Sequence, residues 1–188
     1  MSKKVLFLKG SPRQHGNSAT LAEQAAIGAA ENGALVESFF LHDLDIRPCD
    51  GCDSCIDTGV CVIKDDMQPI YSKIIASDAF VLASPIYWFT YTAQLKTCID
   101  RWYALWNYNH DIFKGKPFGF ILTYGDSDLH TSGGINAIHT FETMCRFLQA
   151  DIAGWVHGSL SEIGDAQKHP DLMKKAYQLG KKLAQAPE

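Results

Sequence analysis

The sequence predicts an α/β fold: a doubly wound, five-stranded parallel sheet with helices on both faces. Three observations carry this. Five short apolar runs read as strands, and helix-like patterns separate each from the next, which argues for a parallel sheet covered on both sides. The 188 residues, with 46% hydrophobic and 20% charged side chains, suffice to bury such a sheet without staples.

In chain order, "KVLFLKG" (4–10) reads as a buried strand and "NSATLAEQAAIGAAENG" (17–33) as a helix. Asn17 and Ser18 are the N-cap candidates, the body is alanine-rich, and Gly33 stands just past the end. "ALVESFFL" (34–41) alternates as a second strand, and a cysteine-rich loop covers about 45–66. A helix follows near "MQPIYSKIIASD" (67–78), then a strong strand, "AFVLASP" (79–85). "TAQLKTCIDRWYALW" (92–106) is helical, "PFGFILTYG" (117–125) a strand, and "GGINAIHTFETMCRFLQA" (133–150) helical. "DIAGWVHGSL" (151–160) is the last strand, and "PDLMKKAYQLGKKLAQA" (170–186) opens on a proline as a terminal helix does. No repeat, low-complexity tract or Pro/Gly-rich linker interrupts the pattern, so residues 1–188 read as one domain. Five strands at this length fit the flavodoxin-like doubly wound order. That order places ligands at the C-terminal ends of strands and directs attention to the loops after strands one, three and four. A fold alone names no function.

Composition narrows the function classes. The formal charge of −4 comes without a Lys/Arg stripe, so neither nucleic acid nor a membrane surface is an expected partner. The apolar run from Val5 to Leu8 is far too short for a signal peptide, and no stretch approaches the roughly 20 apolar residues of a membrane span. The expected compartment is the reducing cytoplasm, where stable disulfides do not form, leaving metal binding or reactive thiols to explain a cysteine cluster.

The loop after the first strand, "LKGSPRQHGNSATL", crosses two glycines and enters a helix through small hydroxyl and amide residues. Free N–H groups at a helix start, with the positive end of its dipole, make an anion site. Ser11, Asn17 and Ser18 can add side-chain donors, and Arg13 a charge of phosphate-matching geometry. No "GK[ST]" follows, so this is not a nucleotide triphosphate loop, and it is not G-x-G-x-x-G. The bland reading is a polar turn plus a cap. After the third strand, "ASPIYWFTYTAQLKTCIDRWY" breaks at Pro85 and offers Tyr87, Trp88, Phe89 and Tyr91 within five residues. Aromatic faces with exposed main-chain groups suit a flat, partly polar ring; the alternative is a core or interface aromatic cluster. Taken with a phosphate loop one strand away, a flat ligand with a phosphate tail is the simpler account, and FMN fits it.

"GSPRQHGNS", "ASPIYWFTYTAQLKTCIDRWY" and "YGDSDLHTSGGINAIHTFETMCRFLQADIAGWVHGS" resemble the flavodoxin-fold NAD(P)H-dependent FMN reductase-like family. With "CDGCDSCIDTGVCVIKDDM" after the second strand, the chain is most similar to that family's iron–sulfur flavoprotein branch, over Val5 to about Ser159. The resemblance implies that Ser11, Arg13, Asn17 and Ser18 hold the FMN phosphate. It implies that Pro85, Ile86, Tyr87, Trp88 and Phe89 line the isoalloxazine, and that Thr123, Tyr124 and Gly125 close its other side. A nicotinamide from NAD(P)H would stack on the open flavin face. Lys96, Asp100 and Arg101, on one helix, read as a structural ion-pair set rather than catalytic groups. The resemblance also implies dimers or tetramers, and Trp102, Trp106 and Tyr108 are more aromatic surface than one domain readily buries.

Cys49, Cys52, Cys55 and Cys61 are spaced C-x2-C-x2-C-x5-C, with Gly51 and Gly59 to bend the loop. Compact spacing of this kind supplies thiolates around a [4Fe–4S] cube. Structural zinc more often uses two separated C-x2–4-C pairs, a C-x-x-C redox pair leaves two thiols unexplained, and unmetallated loop thiols remain the plain alternative. Cys98 and Cys145 sit on apolar helix faces as small core residues. The expectation is an FMN-binding oxidoreductase passing electrons between FMN and a cluster, exchanging them with a small redox partner such as ferredoxin, NAD(P)H or a quinone. It needs no general base. The alternatives are a cluster-free NAD(P)H-dependent reductase of flavin or quinone, and a non-enzymatic carrier or thiol redox sensor.

Overall fold

The computed structural model describes residues 2–185. Its strands and helices alternate: β1 (Lys4–Lys9), α1 (Asn17–Glu31), β2 (Leu35–Phe40), α2 (Met67–Ala76), β3 (Ala79–Tyr87), β4 (Thr90–Tyr91), α3 (Ala93–Asp100), α4 (Tyr103–Tyr108), β5 (Pro117–Tyr124), α5 (Gly134–Leu148), β6 (Asp151–Ser159), α6 (Asp165–Lys168) and α7 (Pro170–Ala184). Five strands pair in parallel in the order β2-β1-β3-β5-β6, and the two residues of β4 fold back antiparallel on β3. The strand order reverses at β1, so the crevice between the C-terminal ends of β1 and β3 is the switch point where this architecture opens.

The interior strands bury both faces. Leu6, Leu8, Phe80, Leu82, Phe118 and Phe120 point to a core covered by α2 to α5, rich in stacked aromatic rings. Val5, Phe7, Val81, Ala83 and Ile121 point the other way, to a thinner layer under α1 and α7. The two helices over that layer touch backbone to backbone. A Cβ added at Gly180 would lie 1.7 Å from the Ala25 carbonyl oxygen, and one at Gly28 would lie 2.1 Å from that of Tyr177. Gly28 and Gly180 permit this approach, and the α1 alanines Ala22, Ala25 and Ala29 are buried beside them.

All five expected strands form, with β3 running on to Tyr87 rather than stopping at Pro85. Other expectations change. The N-cap of α1 is Gly16, not Asn17 or Ser18, which occupy the first helical turn. The helix expected over 92–106 breaks into α3 and α4 at Arg101 and Trp102. There the bonding tightens, with Trp102 N–H donating to Ile99 (2.9 Å), while the Arg101 carbonyl also accepts the Tyr71 hydroxyl (3.1 Å). Position 186, the expected end of the last helix, lies outside the described residues. Trp102, expected on an association surface, is a core residue, 5% exposed and stacked 5.0 Å from Phe113. Trp106 is half-buried against His110 and Phe147, and only Tyr108 of the three is exposed. Cys98 and Cys145 are buried in the aromatic-side core, and burial pushes both thiols up to about 12. No helix among the described residues is long and apolar enough to cross a membrane.

Candidate cofactor sites

A cavity of about 130 Å³ opens at the C-terminal ends of β1, β3 and β5. Its wall contains Ser11, Arg13, Asn17, Ser18, Pro85, Ile86, Tyr87, Thr123, Tyr124 and Gly125, ten of the residues singled out from the sequence. Gly16 completes the first loop: a Cβ there would press on Ser11 Oγ at 3.0 Å and the Arg13 carbonyl at 3.1 Å. The Ser11 hydroxyl accepts from the Arg13 N–H and donates to the Arg13 carbonyl, both at 3.0 Å, which curls the loop on itself. The first intrahelical bond of α1 runs from the Thr20 N–H to the Gly16 carbonyl (2.9 Å). The N–H groups of Asn17, Ser18 and Ala19 have no partner among the described residues, as at any helix start. They are free donors at the positive end of a 15-residue helix with no acidic residue in its first turn. Arg13 stands exposed at the mouth. The donor set of this cradle fits a phosphate.

Asn17 has a different task from the one its sequence position suggests. Its side-chain Nδ2 donates to the carbonyls of Leu160 (3.3 Å) and Glu162 (2.8 Å), and its Oδ1 accepts the Ala166 N–H (3.1 Å). The amide is thereby committed to the segment after β6, whose Leu160, Ser161 and Ile163 form another side of the cavity. Reading only the loops after the first, third and fourth strands misses this wall. A second buried chain of bonds ties the first loop to the β3–β4 hairpin: Thr92 Oγ1 donates to the Gly10 carbonyl (2.7 Å), and Thr92 N–H donates to Ser84 Oγ (3.0 Å).

The hairpin turn consists of Trp88 and Phe89, both with positive φ (45° and 68°). A two-residue turn with φ > 0 at both positions is the type usually filled by Asn-Gly, and bulky side chains are strained there. Phe89 is anchored by its carbonyl, which accepts Asn136 Nδ2 (3.1 Å), while Trp88 is 91% exposed. Neither lines the first cavity. They flank a neighbouring one of about 250 Å³, which shares Ile86, Tyr124 and Gly125 with the first. Tyr91 is not part of either wall: it is buried and stacked 4.7 Å from Phe141. The Tyr124 hydroxyl lies 3.2 Å from His157 Nδ1, and burial, then Lys175, lowers the His157 pKa. A wider groove of about 530 Å³ between β6 and α7, lined by Lys174, Lys175 and Lys182, carries none of the strand-end loops.

The cysteine loop is irregular but fixed at its base. Asp45 N–H donates to Asp66 Oδ2 (2.8 Å) and Asp66 N–H to the Asp45 carbonyl (3.1 Å). Cys49 and Cys52 are exposed, while Cys55 and Cys61 are half-buried. Gly59 packs against α4 so closely that a Cβ would meet Tyr108 Cα at 2.5 Å. Two side chains of the α3–α4 region donate to sulfur: Arg101 Nη2 to Cys61 Sγ (3.3 Å) and Asn107 Nδ2 to Cys55 Sγ (3.8 Å). Burial, ahead of the opposing Asn107 hydrogen bond, raises the Cys55 thiol. Lys96 and Asp100 do pair on the surface, but Arg101 pairs with Asp65 instead, 2.6 Å away, both side chains fully buried. Burial opposes charge on both partners. The ion pair prevails, holding Asp65 below its ordinary range and Arg101 above its own. A loop aspartate 36 residues upstream leaves no local signal for this pairing.

No three His, Cys, Asp or Glu side chains among the described residues meet around one point at metal-ligand spacing. A tetrahedral zinc ion and a four-iron cube both take their cysteine thiolates around one centre, the cube at wider sulfur-to-sulfur spacing. Four thiols on one loop, two of them accepting N–H donors, and a buried Arg101 Nε without a partner make a donor set that fits a sulfur-bound cluster.

Comparison with known proteins bears on both sites. The profile of the family described as NADPH-dependent FMN reductase matches residues 3–153. An iron–sulfur flavoprotein of Archaeoglobus fulgidus is 34% identical over 188 residues, covering 98% of this chain and 80% of that protein. Shorter matches to proteins of the same name in two methanogens span 51% of their length. An NAD(P)H-dependent FMN-containing oxidoreductase of Bacillus subtilis is 26% identical over 184 residues, 95% of this chain and 97% of that one. The fold matches an NAD(P)H:quinone oxidoreductase from Methanothermobacter marburgensis with a TM-score of 0.75, covering 100% of both chains at 18% identity.

Proposed function

The chain belongs to the NADPH-dependent FMN reductase family, in its iron–sulfur flavoprotein branch, and from that membership we propose that it moves electrons between FMN and a [4Fe–4S] cluster. As a member of this family it is an FMN-dependent oxidoreductase, which sets aside a non-enzymatic carrier. One observation carries the placement of the flavin. Free first-turn N–H groups, Arg13 and the ends of β3 and β5 share one cavity at the switch point of the sheet.

In this reading Ser11, Arg13, Ser18 and the backbone N–H groups of Asn17 and Ser18 hold the phosphate, while the Asn17 side chain holds the wall beside it. Pro85, Ile86 and Tyr87 from one loop and Thr123, Tyr124 and Gly125 from the other confine the ring. Trp88 and Phe89 stand over the neighbouring opening, where a nicotinamide or other flat reactant enters. Cys49, Cys52, Cys55 and Cys61 supply the cluster's thiolates, with Arg101 and Asn107 donating to two of the sulfurs. Bound, the flavin exchanges electrons in pairs and the cluster singly, so together they connect hydride donors to one-electron carriers. The chain's own work is to orient the two groups, donate hydrogen bonds and limit water; no side chain has to act as a general base.

The spectrum of protein purified without oxygen, with iron and sulfide assays, tests this. A flavin spectrum with a broad shoulder and about four irons per chain is expected. Flavin with no iron and four titratable loop thiols would instead establish the cluster-free NAD(P)H reductase, the reading favoured by the likeness to the Bacillus oxidoreductase. Protein without flavin would refute both.

A further inference from the structure

Among the described residues Arg101 is the largest fully buried side chain, and every hydrogen bond of its guanidinium goes to the cysteine loop. Its Nη1 donates to the Arg47 carbonyl (2.8 Å) and to Asp65 Oδ2 (2.6 Å). Its Nη2 donates to Asp65 Oδ1 (3.2 Å) and to Cys61 Sγ (3.3 Å). Arg47 lies on the outgoing limb of the loop, two residues before Cys49; Cys61 and Asp65 lie on the returning limb. One planar guanidinium therefore clasps both limbs. Asp65 repeats the clasp by accepting the Arg47 N–H at 3.0 Å. A bidentate, fully desolvated pair is a poor source of net stability, and breaking it is costly; such pairs fix geometry. The site of the pair reinforces the point. It lies at the α3–α4 break, where the Tyr71 hydroxyl reaches the Arg101 carbonyl, so the guanidinium is held from α2 and the helix break as well as from the loop.

We propose that Arg101 is the positioning residue of the thiol loop: its guanidinium sets the loop's shape before any group binds there, and its charge beside Cys61 favours the more reduced state of what the sulfurs hold. The first half stands on the protein's own contacts. The second rests on the cluster reading above.

The test compares wild type with Arg101→Lys, which keeps the charge and loses the fork, and with the paired Arg101→Gln, Asp65→Asn variant, which leaves no unpartnered charge behind. In FMN-loaded, iron-free protein, the loop thiols are labelled with an aromatic disulfide and the loop is probed by limited proteolysis. Both variants should react and be cut about tenfold faster or more, as expected for loss of a buried charged network. Rates within twofold of wild type in both variants would overturn the positioning role, whether or not iron is ever bound. In iron-loaded protein, the midpoint potential is followed by low-temperature electron paramagnetic resonance. It should fall in the neutral pair and stay near wild type in Arg101→Lys; an unchanged potential in the neutral pair would overturn the electrostatic role. Wild-type protein that takes up no iron would refute the cluster reading, and the labelling result would still decide the first half.

Discussion

Replacing Asn17 by alanine separates two roles for the same side chain. If the amide served the flavin phosphate, Asn17→Ala would cut FMN affinity and leave the flavin-free protein as stable as before. The geometry says otherwise, because all three polar bonds of the amide go to residues 160–166. Removing it orphans the Leu160 carbonyl and the Ala166 N–H, both on buried residues, while the carbonyl of exposed Glu162 can turn to water. Counting the two buried groups at about 1 kcal/mol each, the loss is about 2 kcal/mol, or about 4–8 °C in Tm for a chain of this size. The assay is thermal and urea unfolding of flavin-free protein, with FMN affinity measured by fluorescence quenching. A flavin-free Tm within about 1 °C of wild type, together with weakened FMN binding, would refute the assignment.

Three further outcomes follow from neighbouring features. Arg13 is exposed, so Arg13→Ala should leave the flavin-free Tm unchanged and weaken FMN about 10–100-fold, with a shallower salt dependence, in titrations at two ionic strengths. Replacing Trp88 and Phe89 by Asn-Gly should relieve two left-handed backbones and raise the urea stability of the flavin-free protein by about 1–2 kcal/mol; no gain would show that the turn is unstrained. The Asp128 carboxylate accepts from Thr131 and His130 N–H groups and from the Ser127 and Thr131 hydroxyls. These bonds, the Thr131 N–H first, lower it from an ordinary 3.8 to about 2. Because the folded pKa is depressed, the bonds support the 126–132 loop fully above pH 3.8 and are lost as pH falls towards about 2. Hydrogen exchange at the Thr131 amide should accelerate across that window, and a flat profile would contradict it.

How much of this was legible in the sequence depends on how local its causes are. β1, β3 and β5 are buried on both faces, so they stand out as unbroken apolar runs with little ambiguity. The cavity was legible for the same reason: small and hydroxyl-bearing residues after β1 and a proline with aromatics in β3 mark strand ends where backbone is left open. The α3–α4 break was not legible, because the Tyr71 hydroxyl that reaches the Arg101 carbonyl lies far away in the chain. Trp102 looked superficial because periodicity does not reveal that Phe113 and Phe118 would rise to meet it. The Trp88–Phe89 turn was hidden by its composition, since no turn rule places two aromatics at positive φ. Asn17 lines the cavity as expected, but the partners of its side-chain amide were not legible. An amide before a helix reads as a donor to the nearest ligand, and its actual acceptors lie 143 and 145 residues further along.

The packing of α1 against α7 also orders events during synthesis. The alanine face of α1 meets its covering helix only after α7 has left the ribosome, and the Asn17 amide finds its acceptors only once residues 160–166 have emerged. Until then the loop after β1 is a helix start without its wall. The cavity proposed for the flavin is therefore complete only when residues 160–166 have folded against Asn17. A chain stalled or clipped before residue 160 should retain the first loop in sequence and none of its hold on FMN.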